Sequence, residues 1–203
     1  MSKVMIHATV SVDGFMADAD GGVDWMNGFS TAPGDEEVLE SVIRDIGAVV
    51  GGANRTQSIE DGEVPYGSML KVPVFLMTHT AHEPITKDDV TYTFVVDDIA
   101  QAVESAERAA GEKAVSLLGG SISRQCLELR LVDEIQLHVV PILLGEGVSL
   151  FTGLRTPIKL ERLETRAFAS ETHLRYRVLA EAAAGDANAS RRGIQQSHLN
   201  IPT

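Results

Sequence analysis

Leu117-Leu118-Gly119-Gly120-Ser121, followed by Leu131-Val132-Asp133-Glu134 and then by Pro141 and Gly145-Glu146-Gly147, decides how this chain folds. An apolar strand runs into paired glycines, a helix follows, and a second strand follows the helix. Paired glycines at such a junction let a ligand approach the backbone closely. The helix behind them opens with unpaired N–H groups and a partial positive charge. Together these features suit a phosphate or pyrophosphate and point to a nucleotide cofactor. A tight turn without a ligand is the plain alternative.

Working outward, strands are predicted over 4–12, 48–50, 72–78, 91–96, 114–118, 134–141, 158–168 and 172–180. Helices are predicted over 36–46, where Val38, Leu39, Val42, Ile43 and Ile46 recur at helical spacing, and from Asp97-Asp98 to Ala110, stopped by Gly111. A third helix is expected over 121–131. Strands alternate with helices until the end, where strands follow one another. That order implies an α/β, three-layer sandwich with a central, mostly parallel sheet and antiparallel C-terminal strands. Ligands of such sheets sit at the C-terminal ends of the parallel strands. The loops 51–56, 78–82 and 119–121 fall there. Residues 1–180 read as one domain, and 181–203, poor in bulky apolar residues, as a flexible tail.

The chain has 203 residues, 44% of them hydrophobic, enough for a sizeable core. Aromatics are only 5%, so aliphatic side chains must build it. A net charge of −12 argues against nucleic acid as a partner. No apolar run approaches the ~20 residues that span a bilayer. The N-terminus enters a strand at once, without a signal-peptide layout. A soluble, cytoplasmic protein is the expectation. The single cysteine, Cys126, cannot form an internal disulfide and reads as a buried structural thiol.

Gly51-Gly52-Ala53-Asn54-Arg55-Thr56 follows the strand at 48–50. Its glycines permit close approach, Arg55 can fork onto a phosphate, and Thr56 adds a hydroxyl donor. A polar surface loop is the alternative. Thr78-His79 ends the next strand, and His79 either meets a nucleotide or is simply solvated. Asp13 and Asp24 flank the glycine-rich segment after the first strand. Trp25 follows Asp24 directly, and a carboxylate beside a tryptophan can orient a polar heterocycle. The alternatives are a turn aspartate at Asp13 and a core anchor at Trp25.

Several of these segments share one resemblance. Val10-Ser11-Val12-Asp13-Gly14-Phe15-Met16-Ala17, Asp24-Trp25, Val49-Val50-Gly51-Gly52 with Arg55-Thr56, Gly119-Gly120, and Leu131-Val132-Asp133-Glu134 with Pro141 to Gly147 and Leu150-Phe151 occur in that order. The chain resembles the bacterial dihydrofolate reductase-like superfamily over about residues 3 to 180. Within it, the likeness is greater to the C-terminal reductase domain of the bifunctional riboflavin-biosynthesis deaminase/reductase. A zinc-deaminase motif of the His-x-Glu…Cys-x-x-Cys type is absent from the sequence. The resemblance therefore implies a stand-alone reductase.

The resemblance also implies a cofactor and a site. The cofactor would be NADPH, with NADH as an alternative. Its 2′-phosphate would meet the loop of Gly51, Gly52, Asn54, Arg55 and Thr56, with Thr78 and His79 on the neighbouring strand. Its pyrophosphate would lie near Gly119, Gly120, Ser121 and Ile122. A small heterocyclic or ribosylaminopyrimidine or pterin-like substrate would sit near Ala8, Asp13, Met16, Ala17, Asp24 and Trp25. Asp13 and Asp24 are the candidate catalytic acids, an ordered water being the other proton source. No metal is implied. A homodimer is expected, formed through the strands around Leu137–Val140 and His173–Val178. A non-catalytic NAD(P)-binding or sensor protein on the same fold is the competing reading.

Overall fold

The computed structural model describes residues 2–29, 33–52 and 70–180. Asn54, Arg55 and Thr56 lie outside these residues, as does the expected tail. The described strands are β1 (Val4–Ser11), β2 (Phe15–Ala17), β3 (Ile46–Gly52), β4 (Val74–Thr78), β5 (Ile85–Lys87), β6 (Val90–Val96), β7 (Ala114–Leu118), β8 (Glu134–Val140), β9 (Val148–Ser149), β10 (Leu160–Ala167) and β11 (Thr172–Val178). The helices are α1 (Pro33–Asp45), α2 (Ile99–Ala110) and α3 (Gly120–Glu128), with a 3-10 turn at Asp24–Met26. No described helix is long and apolar enough to cross a membrane.

One nine-stranded sheet runs in the order β10-β11-β8-β1-β7-β3-β4-β6-β5. From β8 to β6 every neighbouring pair is parallel. β5, β11 and β10 run antiparallel to their neighbours. The mostly parallel sheet with antiparallel C-terminal strands is thus the architecture that the strand and helix order implied. In β3, Ala48, Val49 and Val50 are fully buried, as a central parallel strand covered on both faces must be.

The two faces have separate cores. Val4, Ile6, Val10, Val115 and Leu117 pack with Ile99, Ala102, Val103 and Ala106 of α2 and with Ile122, Cys126 and Leu127 of α3. Met5, Val49, Val74, Leu76 and Tyr92 pack on the opposite face with Val42 of α1. Helix α2 starts where the Asp98 carboxylate accepts the Gln101 N–H at 2.9 Å, and it ends at Gly111, whose φ is 64°. Each bulky residue that α2 buries, such as Ile99 or Val103, contributes about 1.5–3 kcal/mol.

Several boundaries differ from the sequence expectation. The third helix stops at Glu128, because the chain reverses through Arg130 in the left-handed region (φ 59°). β5 and β6 form a hairpin over Asp88-Asp89, both left-handed, without the Asn-Gly or Asp-Gly pair that usually marks such a turn. The small β2–β9 ribbon is too short to give a periodicity.

The surface expected for a homodimer also differs. β8 lies between β1 and β11, and β11 lies between β8 and β10. Neither has a free edge for a second copy. The free edge on this side of the sheet belongs to β10, which carries Glu161, Arg162, Glu164 and Arg166, the charged guard typical of an edge strand.

Asp133-Glu134 fastens three strands. The Asp133 carboxylate accepts the Val4 N–H at 2.8 Å. Glu134 is buried and binds Lys3 at 2.9 Å and Arg175 at 2.7 Å. The motif is structural.

Candidate functional site

The ladder between β1 and β7 stops at Ile6↔Leu117, whereas β1 stays paired to β8 as far as Ser11↔Val140. β7 meanwhile follows β3 to Gly51↔Leu118. The sheet therefore splits between two parallel strands at their C-terminal ends, which is where ligands of α/β sheets bind. A cavity of about 160 Å³ occupies the split, bounded by Ala8, Thr9, Met16, Val23, Met26 and Gly119 among others.

Gly119 belongs to both the cavity and the start of α3. Its φ of 99° needs glycine, and the space where a Cβ would stand is open. Among the described residues no side chain caps α3, so the main-chain N–H groups of its first turn, Gly120 to Ile122, have no side-chain acceptor there. This donor set fits a pyrophosphate. Gly51 and Gly52 reach the same end of the sheet, and among the described residues a Cβ on Gly52 would meet only the Ile122 side chain, at 3.9 Å. Gly120 has a different reason to be glycine. A Cβ there would stand 2.8 Å from the Ser149 carbonyl oxygen, so packing alone requires glycine at this position. Ser121 is exposed, while the Ile122 side chain is buried in the core.

Asp13 is an anchor, which corrects the expectation of a catalytic acid. Its carboxylate accepts the Ser11 hydroxyl at 2.6 Å, the Gly145 N–H at 2.7 Å and the Leu144 N–H at 3.2 Å. The Ser11 bond, then the Gly145 bond, hold its carboxyl below the usual carboxylate range. A group kept ionised in this way is a poor proton donor. Asp24 is exposed on the 3-10 turn, and its neighbours Val23 and Met26 line the cavity instead. Trp25 is half-buried, and its indole N–H is buried without a partner among the described residues. Ala8 and Met16 border the cavity, while Ala17 is buried in the β2–β9 ribbon.

Thr78 ends β4 in a turn, donating its hydroxyl to the Thr80 carbonyl at 3.0 Å. His79 is exposed and pairs with Asp97 at 2.5 Å. Both lie at the C-terminal end of the sheet, on the strand beside β3.

The cavity wall contains one titratable side chain, His7, among the described residues. His7 is the first of a buried row. Its Nε2 lies 2.6 Å from Nε2 of His138, whose Nδ1 lies 2.6 Å from Nδ1 of His173. Nε2 of His173 lies 2.8 Å from Oδ1 of Asp35 at the start of α1. Glu171 stands beside the row, 3.7 Å from His138 and 3.9 Å from His173. Burial, then the charge of His173, pushes the His7 ring down to about 4. Burial, then His7 and His173, pushes His138 down to about 2. Reasoning from the sequence passed over these residues, because they are 131 and 35 positions apart. Parity gave no signal either, because each histidine shares its strand face with polar neighbours: His7 with Thr9 and Ser11, His138 with Glu134 and Gln136, His173 with Arg175 and Arg177.

Residues 2–174 match the family model of the RibD C-terminal domain. The uncharacterized protein YwjB of Bacillus subtilis is 23% identical over 179 residues, covering 86% of this chain and 97% of YwjB. A putative riboflavin biosynthesis protein from Shewanella sp. PV-4 shares the fold with a TM-score of 0.73 and 22% identity. That match covers 88% of this chain and 99% of the Shewanella chain. Dihydrofolate reductase from Enterococcus faecalis, solved with NADP(H), aligns with a TM-score of 0.57 and 12% identity, over 88% of this chain and 97% of that one. With 2–174 of its 203 residues matched, the chain belongs to the RibD C-terminal domain family.

Proposed function

We propose that this protein is an NADPH-dependent reductase of a small nitrogen heterocycle, of the ribosylaminopyrimidine or pterin class. The observation that carries this reading is the sharing of Gly119: the split between β1 and β7 opens onto the uncapped start of α3. A reduced nicotinamide, when bound, supplies the hydride. The chain's own part is placement, and near-attack geometry can remove roughly 7–11 kcal/mol of a barrier. The N–H groups of Gly120, Ser121 and Ile122 would hold the pyrophosphate, with Gly51 and Gly52 leaving room beside them. Arg55 would read the 2′-phosphate. Ala8 and Met16 would pack on the substrate, with the Trp25 N–H as a donor nearby. Residues 1–180 would form the catalytic unit, with 181–203 as an appended tail.

Titration with NADPH and separately with NADH, followed by Trp25 fluorescence and by calorimetry, tests the cofactor. Tighter binding of NADPH, lost on Arg55→Ala with little change for NADH, supports it. Turnover of 5-amino-6-(5-phosphoribosylamino)uracil, followed by loss of NADPH absorbance, tests the reaction.

One observation favours a second reading, a non-catalytic NAD(P)-binding protein. No carboxyl group borders the cavity among the described residues. NADPH binding without oxidation against aminopyrimidine or pterin substrates would select it. A homodimer belongs to the primary proposal, and a monomer mass in sedimentation at micromolar concentration would remove that part.

A further inference from the structure

Behind His7, three lone-pair atoms converge inside the protein. His138 on β8 stands directly opposite His173 on β11. Glu171 comes two residues before His173, so strand alternation turns it to the same face. The Phe168 N–H donates to the Glu171 carbonyl at 2.9 Å and closes the turn that carries it. Both imidazoles point Nδ1 at each other and at Oε2 of Glu171, with separations of 2.6, 3.7 and 3.9 Å. The three side chains are at most 4% exposed.

The two longer separations exceed hydrogen-bond reach. They fit atoms that share an ion. A circle through the three atoms has a radius of about 2.0 Å, the length of a zinc–nitrogen or zinc–oxygen bond. The outer nitrogen of each ring is held as well, which is the usual support of a metal-bound imidazole. Nε2 of His173 lies 2.8 Å from Oδ1 of Asp35 on α1, and Nε2 of His138 lies 2.6 Å from Nε2 of His7. Asp35 is fully buried, and its Oδ2 has no hydrogen-bond partner among the described residues. Asp35 and Glu171 thus bring two buried carboxyl groups to one cluster of imidazoles, and carboxylates in such a place are compensated by a paired charge or a metal ion.

We propose that Nδ1 of His138, Nδ1 of His173 and Oε2 of Glu171 bind a zinc ion that fastens β8 to the β10–β11 turn and, through Asp35, to α1. The ion is structural, and its site stands apart from the reductase reading. Two imidazoles and a carboxylate suit zinc, which such sites bind more tightly than manganese or ferrous iron. Water supplies the fourth ligand. A cavity of about 10 Å³ beside His173, large enough for about one water molecule, adjoins the site. On a tetrahedral ion the two Nδ1 atoms stand about 3.3 Å apart, so zinc parts the rings by roughly 0.7 Å. A direct imidazole–imidazole hydrogen bond is the rival use of the 2.6 Å contact.

The untagged full chain, stripped with a chelator and then dialysed against micromolar zinc, should take up one zinc ion by elemental analysis and melt at a higher temperature. No uptake overturns the proposal. Glu171→Gln should weaken zinc binding about 10²-fold or more, and Asp35→Asn about 10- to 100-fold. Uptake unchanged by Glu171→Gln belongs to surface histidines and overturns the site. Two measurements on the wild-type chain decide the matter even if a variant fails to fold. Cobalt in place of zinc should show the intense visible bands of a four-coordinate ion, and the pale spectrum of a six-coordinate ion overturns the site. In the zinc-loaded, 15N-labelled chain, long-range proton–nitrogen correlation should find no hydrogen on Nδ1 of His138 or of His173. A hydrogen on either Nδ1 keeps the direct hydrogen bond and overturns the site.

Discussion

The Asp13 carboxylate accepts the main-chain N–H of Gly145 across 2.7 Å, joining the end of β1 to a turn 132 positions further along the chain. Ser11 completes the knot, donating its hydroxyl to Asp13 and accepting the Phe15 N–H at 3.0 Å. The bonds fix β2 and the 141–147 loop against each other beside the cavity.

Asp13→Ala should therefore lower the melting temperature and weaken dinucleotide binding together. A catalytic acid would behave otherwise, losing kcat with the melt unchanged. Differential scanning fluorimetry beside a binding titration separates the two outcomes.

Gly120 and Gly52 should respond in opposite ways to alanine. At Gly120 the new Cβ meets a main-chain oxygen at 2.8 Å, and relieving such overpacking costs about 1–3 kcal/mol. At Gly52 the nearest atom among the described residues is a flexible side chain at 3.9 Å, which leaves space for the methyl group. Gly52→Ala should keep the melting temperature and weaken dinucleotide binding. Chemical denaturation of both variants checks this, and equal loss of stability would contradict it.

Acid should destabilise the protein from about pH 6.5 downward. The His7 ring titrates near 6.5 when unfolded and near 4 in the fold, so in that window only the unfolded chain binds the proton. The resulting penalty is absent above the window and reaches about 3 kcal/mol at its lower end. His138 extends the trend toward pH 2. The carboxyl groups facing this row are Asp35 and Glu171. Denaturant melts between pH 7 and 4 should show the slope, and His7→Gln should flatten it.

Cys126 should stay silent to thiol reagents until the protein unfolds. It is fully buried, and burial pushes its thiol up to about 12. Labelling kinetics with a disulfide reagent should track global unfolding. Rapid native labelling would contradict that burial.

Much of the scaffold was legible because its elements carry strong periodicity. Helix α2 announces itself by Ile99, Ala102, Val103 and Ala106 between a capping aspartate and Gly111. The β7–α3–β8 unit follows from Gly119-Gly120 between apolar runs. What escaped depends on pairing across the sheet. β11 looked available to a second copy until β10 covered it. Asp13 looked chemical because two of its three partners are main-chain N–H groups 131 and 132 positions away, which leave no trace in the sequence. The histidine row required knowing that β1, β8 and β11 are adjacent, and no local pattern says so.

The split between β1 and β7 has one more consequence. Lys3 turns its carbonyl toward β7, where it accepts the Val115 N–H at 2.8 Å. Alternation along a strand then directs the main-chain N–H and C=O of Thr9 to the same side, beyond the last paired residue of β7. A flat heterocycle, if the proposed reductase binds one in the gap, would meet these two groups much as a further strand would. Part of its recognition would then be written in the peptide backbone, and exchanging side chains along β1 would leave that part intact.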